Sequence, residues 1–118
     1  MRDIEFLGNL NYDDRIEKIK SDILLLENVI RNFIITCNKP DLHHKIVDEL
    51  YLDICYGCDI ILTMIEHTEN KFLIKKQSHG LLTNFKDIVI SIFIHLNNIY
   101  RRRINNVMKH FLINVTML

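Results

Sequence analysis

No alanine occurs anywhere in this 118-residue chain, although alanine is the strongest helix former. Tryptophan is absent too, proline appears once (Pro40), and glycine only three times (Gly8, Gly57, Gly80). A β-sandwich or barrel needs turn residues every few positions, so this scarcity excludes many short strands and favours long helices. The most apolar stretch, residues 88–94, falls far short of the ~20 residues of a membrane span. The chain opens Met1-Arg2-Asp3-Ile4-Glu5, with acids where a signal peptide needs a basic region and an apolar run. Three cysteines, an odd number, suit reduced thiols. These absences predict a soluble cytoplasmic protein.

What replaces alanine is twenty isoleucines and twelve asparagines. Their codons are AT-rich, which points to an AT-rich gene such as those of phages, plasmids, viruses or mobile bacterial islands. That origin favours an accessory or conflict function over housekeeping metabolism. Apolar content of 48% with 25% charged residues is that of a globular chain, and the length suits a single helical-bundle domain over 1–118.

Net charge is zero, yet the charge is sorted along the chain. Residues 41–69 hold seven acids against Lys45 alone, and residues 70–118 hold eight bases against Asp87 alone. Sorted charge creates local fields that steer partners even when the total vanishes.

Residues 1–10 read as an N-terminal arm. Asn11 reads as an N-cap, with Asp13 and Asp14 in the first turn where acids complement the helix dipole. Ile16, Ile19, Ile23, Leu26, Ile30, Phe33 and Cys37 follow at alternating steps of three and four, which predicts a long helix packed on another. Leu25, Val29 and Ile34 widen that stripe beyond a two-stranded seam. After Pro40 a second helix is expected over 41–68, its core face carrying Val47, Leu50, Ile54, Ile61, Met64 and Ile65, with Ile46, Cys58 and Leu62 beside it. Gly57 falls on that stripe and permits close backbone approach. A short fourth helix is expected near 71–77. A last long helix begins near 83–84 with a stripe of Val89, Phe93, Leu96, Tyr100, Ile104, Val107, Phe111 and Val115. The expected fold is an all-α antiparallel bundle of three long helices plus the short fourth.

Asp41, Asp48, Asp59 and Glu66 are separated by seven, eleven and seven residues, steps that return almost to one angle of a helix. Four carboxylates along one edge either form a solvated face that neutralises the basic last helix, or imitate the phosphates of a nucleic acid. In the second case the edge would occupy the basic cleft of a nuclease, with electrostatically steered association.

Arg101-Arg102-Arg103 and Lys109 form the basic counterpart, and Arg103, Asn106 and His110 extend the apolar line Phe85, Val89, Ile92, Leu96, Ile99. The trio either builds a polar pocket between helices or faces water. Arg103 and His110, with six residues between them, resemble the Arg-x(4–6)-His motif of HEPN-family helical-bundle ribonucleases. The resemblance covers about eight residues and departs from the family at Ile104, where a polar residue is usual. It implies action on RNA at a dimer interface, with His110 as general acid/base and Arg103 stabilising phosphate charge.

Other constellations favour plain structural roles. Cys55-x-x-Cys58 lacks a second ligand pair for zinc and a preceding strand for thioredoxin-like redox chemistry, leaving Cys58 as a core residue and Cys55 near the surface. His43, His44 and Asp48, or Glu49 with Asp53, have partial metal-ligand spacing and no repeat elsewhere. No phosphate-binding or dinucleotide glycine motif and no nucleophile elbow is present, so neither metal nor cofactor is expected.

The leading expectation is a non-enzymatic protein-binding module, an immunity or antitoxin-type inhibitor masking a basic toxic partner such as a nuclease through Asp41, Asp48, Asp59 and Glu66. Two alternatives stand beside it: a HEPN-like ribonuclease or RNA binder using Arg103 and His110, and a viral helical adaptor for a host protein. The apolar C-terminal segment, or the wide stripe of the first helix, is expected to contribute to a homodimer or partner interface. No membrane partner is expected.

Overall fold

A computed structural model describes residues 10–39, 44–72 and 80–116. They form three α-helices and, among the described residues, no strand: α1 (Tyr12–Cys37), α2 (His44–Lys71) and α3 (Leu81–Thr116). The all-α expectation holds. Lys71 closes α2, and the rest of the expected short helix near 71–77 lies outside the described residues, as do residues 1–9 of the arm and the expected start of α2 at residue 41. No helix among the described residues is long and apolar enough to cross a membrane.

Local chemistry places the α1 boundaries. Asn11 Oδ1 accepts from the backbone N–H of Asp14 at 2.8 Å, satisfying one of the first-turn donors, and Asp13 and Asp14 occupy that turn. At the other end the N–H of Asn38 donates to the carbonyls of Ile34 and Ile35 before Pro40 forbids continuation.

The predicted seam is the core from Ile16 to Phe33, whereas Cys37 at its end and Leu50 on the expected α2 face are half-buried. Ile16, Ile19, Ile23, Leu26, Ile30 and Phe33 of α1 are buried against Val47, Ile54, Cys58, Ile61, Met64 and Ile65 of α2 and Leu82, Phe85, Val89 and Leu96 of α3. Each helix touches both others. Burying one such aliphatic side chain contributes about 1.5–3 kcal/mol, so this seam outweighs the weak intrinsic propensity of an isoleucine-rich, alanine-free helix. Gly57 sits where α1 and α2 approach, and a Cβ there would lie 3.3 Å from Leu26 Cδ1.

All three helices depart from expectation in places. In α3 the core line is Leu82, Phe85, Val89 and Leu96, with Ile92 and Ile99 half-buried, whereas Phe93 and Ile104 are 39% and 41% exposed. Both lines satisfy helical spacing, and α3 is apolar almost all round, so its partners choose the face. In α1, Leu25 and Val29 are 60% and 42% exposed: three helices cannot cover so wide a stripe. Ile46, on the expected core side of α2, is likewise exposed.

Cross-helix contacts set the direction of each element. Arg15 at the start of α1 meets His67 near the end of α2. Tyr51 and Asp48, early in α2, meet Asn97 and Tyr100, late in the buried part of α3. Arg103 of α3 reaches Cys37 at the end of α1. The helices therefore alternate in direction. Because α3 has 36 residues and α1 only 26, residues 104–116 run on for about 20 Å beyond the end of α1. The molecule is correspondingly long, 63 × 27 × 20 Å.

Candidate functional site

The carboxylate edge lies along α2. Asp48, Asp59 and Glu66 are exposed on it, about 17 and 10 Å apart along the axis, while Asp41 falls outside the described residues. Among the described residues the only ion pair within 4 Å joins Lys18 Nζ to Asp22 on α1. None of the three acids is thus neutralised by a cation of the described chain, and Arg101, Arg102 and Lys109 are themselves exposed.

Asp48 differs from the other two. Its Oδ1 accepts from the hydroxyl of Tyr100 at 2.5 Å, and the Tyr100 ring stacks on Tyr51 with centroids 3.9 Å apart and planes 11° from parallel. The Tyr51 hydroxyl donates in turn to Asn97 Oδ1 at 2.5 Å. The hydrogen bond to Asp48 and partial burial push the Tyr100 phenol up to about 12. Burial, with Cys55 beside it, pushes Tyr51 up as well. Sequence reading placed Tyr100 in an apolar stripe and Asp48 on an acidic edge, and missed that one step of α2–α3 register joins them.

Arg103 and His110 do not form a described pair. Arg103 Nη1 donates to the carbonyls of Cys37 at 2.7 Å and Lys39 at 3.3 Å, so its guanidinium serves the C-terminal end of α1. His110 lies on the extension of α3 with its side chain outside the described residues, and Asn106 is exposed. Of the cysteines, Cys58 is buried in the core and its thiol is pushed up to about 11 by that burial, with Cys55 adding to the effect. Cys37 and Cys55 are half-buried. Among the described residues no three His, Cys, Asp or Glu side chains group closely enough to hold a metal ion.

The opposite end of the bundle contains a polar cluster that sequence reading did not single out. Arg15 is completely buried, donates through Nε to the Leu10 carbonyl at 3.0 Å, and places Nη1 2.9 Å from His67 Nδ1. Its guanidinium carbon stands 5.3 Å from the centre of the Phe72 ring, which meets Tyr12 edge-on. Arg15 Nη2 and Glu69 Oε1 are buried polar atoms with no hydrogen-bond partner among the described residues. One signal was available: Arg15 precedes Ile19 and Ile23 by one and two steps of four, and so belongs to the core face.

Compared with known proteins, the chain matches no family model, no curated protein and no solved structure.

Proposed function

We propose that this chain is a non-enzymatic protein-binding module, an inhibitor of the immunity or antitoxin type that masks a basic toxic partner such as a nuclease. The observation carrying this reading is the solvent-exposed row of Asp48, Asp59 and Glu66, with no ion pair to any of them among the described residues. Carboxylates left in water on one edge project a negative field, and their partner must supply the opposing charge. A basic nucleic-acid cleft is shaped to receive such a row, and long-range attraction speeds the encounter. Mechanism is then occlusion: the edge fills the cleft and substrate is excluded.

Asp59 and Glu66 make the cleaner test, because Asp48 also serves the bundle through Tyr100. The experiment co-expresses the chain with the product of its neighbouring gene and measures association rate against salt for wild type and for Asp59→Lys/Glu66→Lys. The expected result is rapid, salt-sensitive binding that slows at least tenfold in the double variant. Binding indifferent to both substitutions sinks the acidic-edge mechanism. RNA cleavage or salt-dependent RNA binding lost in His110→Ala would transfer the function to the ribonuclease reading instead.

A further inference from the structure

Among the described residues two surfaces lack cover, and they match one another. The first is an open groove of about 570 Å³ between α1 and α2, floored by Leu26, Ile54, Gly57 and Ile61 and walled by the exposed Leu25 and Val29. Gly57 deepens it by withholding a side chain. The second is the extension of α3 beyond Arg103, where Ile104, Met108 and Leu112 stand at successive steps of four and are 41%, 51% and 57% exposed. Three apolar residues at that spacing are the signature of a helix made to lie in a groove.

We propose that two copies of this chain pair by exchanging these extensions, each α3 end lying in the α1–α2 groove of the other copy. Charge favours the match. Residues 101–116 contain no acid, and Arg101, Arg102 and Lys109 are exposed beside the apolar steps. On the groove side Lys18 is paired with Asp22 at 3.0 Å, which leaves the exposed Asp53 as the rim charge with no ion pair among the described residues, and Glu49 lies one turn away. A basic helix thus meets an acidic rim.

Length fits as well. From the end of α1 at Cys37 to Leu26 at the groove floor is eleven residues, about 17 Å, and the extension is about 20 Å. Two bundles set end to end about a two-fold axis therefore bring each extension alongside the middle of the other bundle. A two-fold axis exchanges any two surfaces reciprocally, so one contact, made twice, closes the assembly without open-ended growth.

The pairing leaves the acidic edge accessible. Asp48 and Glu66 are each nine residues from Gly57, two and a half helical turns, which puts them on the opposite flank of α2 from the groove. Failure of the pairing and failure of the proposed inhibitor function are consequently separate results.

The test is mass by light scattering over a wide concentration range, for wild type, Met108→Glu and Val29→Glu. Both substitutions fall at exposed positions, and circular dichroism with thermal melting verifies that each variant remains folded. Wild type is expected at about twice 14.1 kDa at high concentration, and each variant at about half the wild-type mass. An equimolar mixture of the two variants retains one intact extension and one intact groove, so its mass should rise above that of either alone. Three results overturn the proposal: a wild-type mass of 14.1 kDa at every concentration, a doubled mass that survives either substitution, or a mixture that stays monomeric.

Discussion

Arg103 on α3 donates 2.7 Å to the carbonyl of Cys37, the last residue of α1, and so supplies a cation to a helix end that has none of its own. The final carbonyls of a helix have no intrahelical donor and carry its partial negative charge, so a guanidinium there both satisfies an acceptor and opposes the dipole. It also locks the point where α3 leaves the bundle.

Replacing Arg103 with Met should therefore lower stability by about 1.5–3 kcal/mol, the range for a hydrogen bond to a charged group. Urea denaturation measures it. Arg103→Lys should recover only part, because the compact, strongly hydrated ammonium costs more to desolvate beside the half-buried Cys37 carbonyl than the weakly hydrated guanidinium does. A variant as stable as wild type would show that water replaces the guanidinium at no cost.

Tyr100 yields a prediction in pH. Folding raises its phenol from an ordinary 10.0 to about 12, chiefly through the hydrogen bond to Asp48, so the folded chain holds this proton more tightly than the unfolded chain. The contribution to stability is complete below pH 10 and disappears as the pH climbs towards 12. Absorbance titration of tyrosinate should resolve at least one late-titrating tyrosine, and Asp48→Asn should move it earlier. A single transition near 10 for all four tyrosines contradicts the bond.

Buried Arg15 joins three groups at the end of the bundle where α1 begins and α2 finishes: the Leu10 carbonyl, His67 and the Phe72 ring. Arg15→Ala removes two hydrogen bonds and opens a cavity, which should cost more than about 2 kcal/mol. Thermal melting of this variant beside Lys20→Ala, an exposed neighbour on the same helix, separates that loss from mere removal of charge. Equal melting temperatures would contradict it.

Thiol chemistry reports the core directly. Cys58 is 2% exposed with its thiol raised to about 11, so a disulfide reagent near pH 8 should label Cys37 and Cys55 in the native protein and Cys58 only after denaturant is added. Three equally fast thiols would place Cys58 outside the packed interface.

Much of the architecture was legible in the one-dimensional pattern. The seam from Ile16 to Phe33 and the cap at Asn11 required only spacing and local donors, because a helix repeats every 3.6 residues whatever surrounds it. The face of α3 was not legible, because Val89–Phe93–Ile104 and Phe85–Ile92–Ile99 are equally periodic. At the candidate site, sequence spacing put Asp48, Asp59 and Glu66 on one edge, and the Tyr100 bond to Asp48 escaped it: that bond links residues 52 apart.

By itself the chain determined periodic and local properties: all-helical character, the identity of most core residues in α1 and α2, the segregation of acid from base. Tertiary structure alone decided which cation serves which helix end, why Arg15 is buried, which side of α3 faces inward, and that α3 outruns its neighbours. Those are pairwise choices between distant segments. Local periodicity constrains each helix, but only the docking of all three selects among the faces that each one offers.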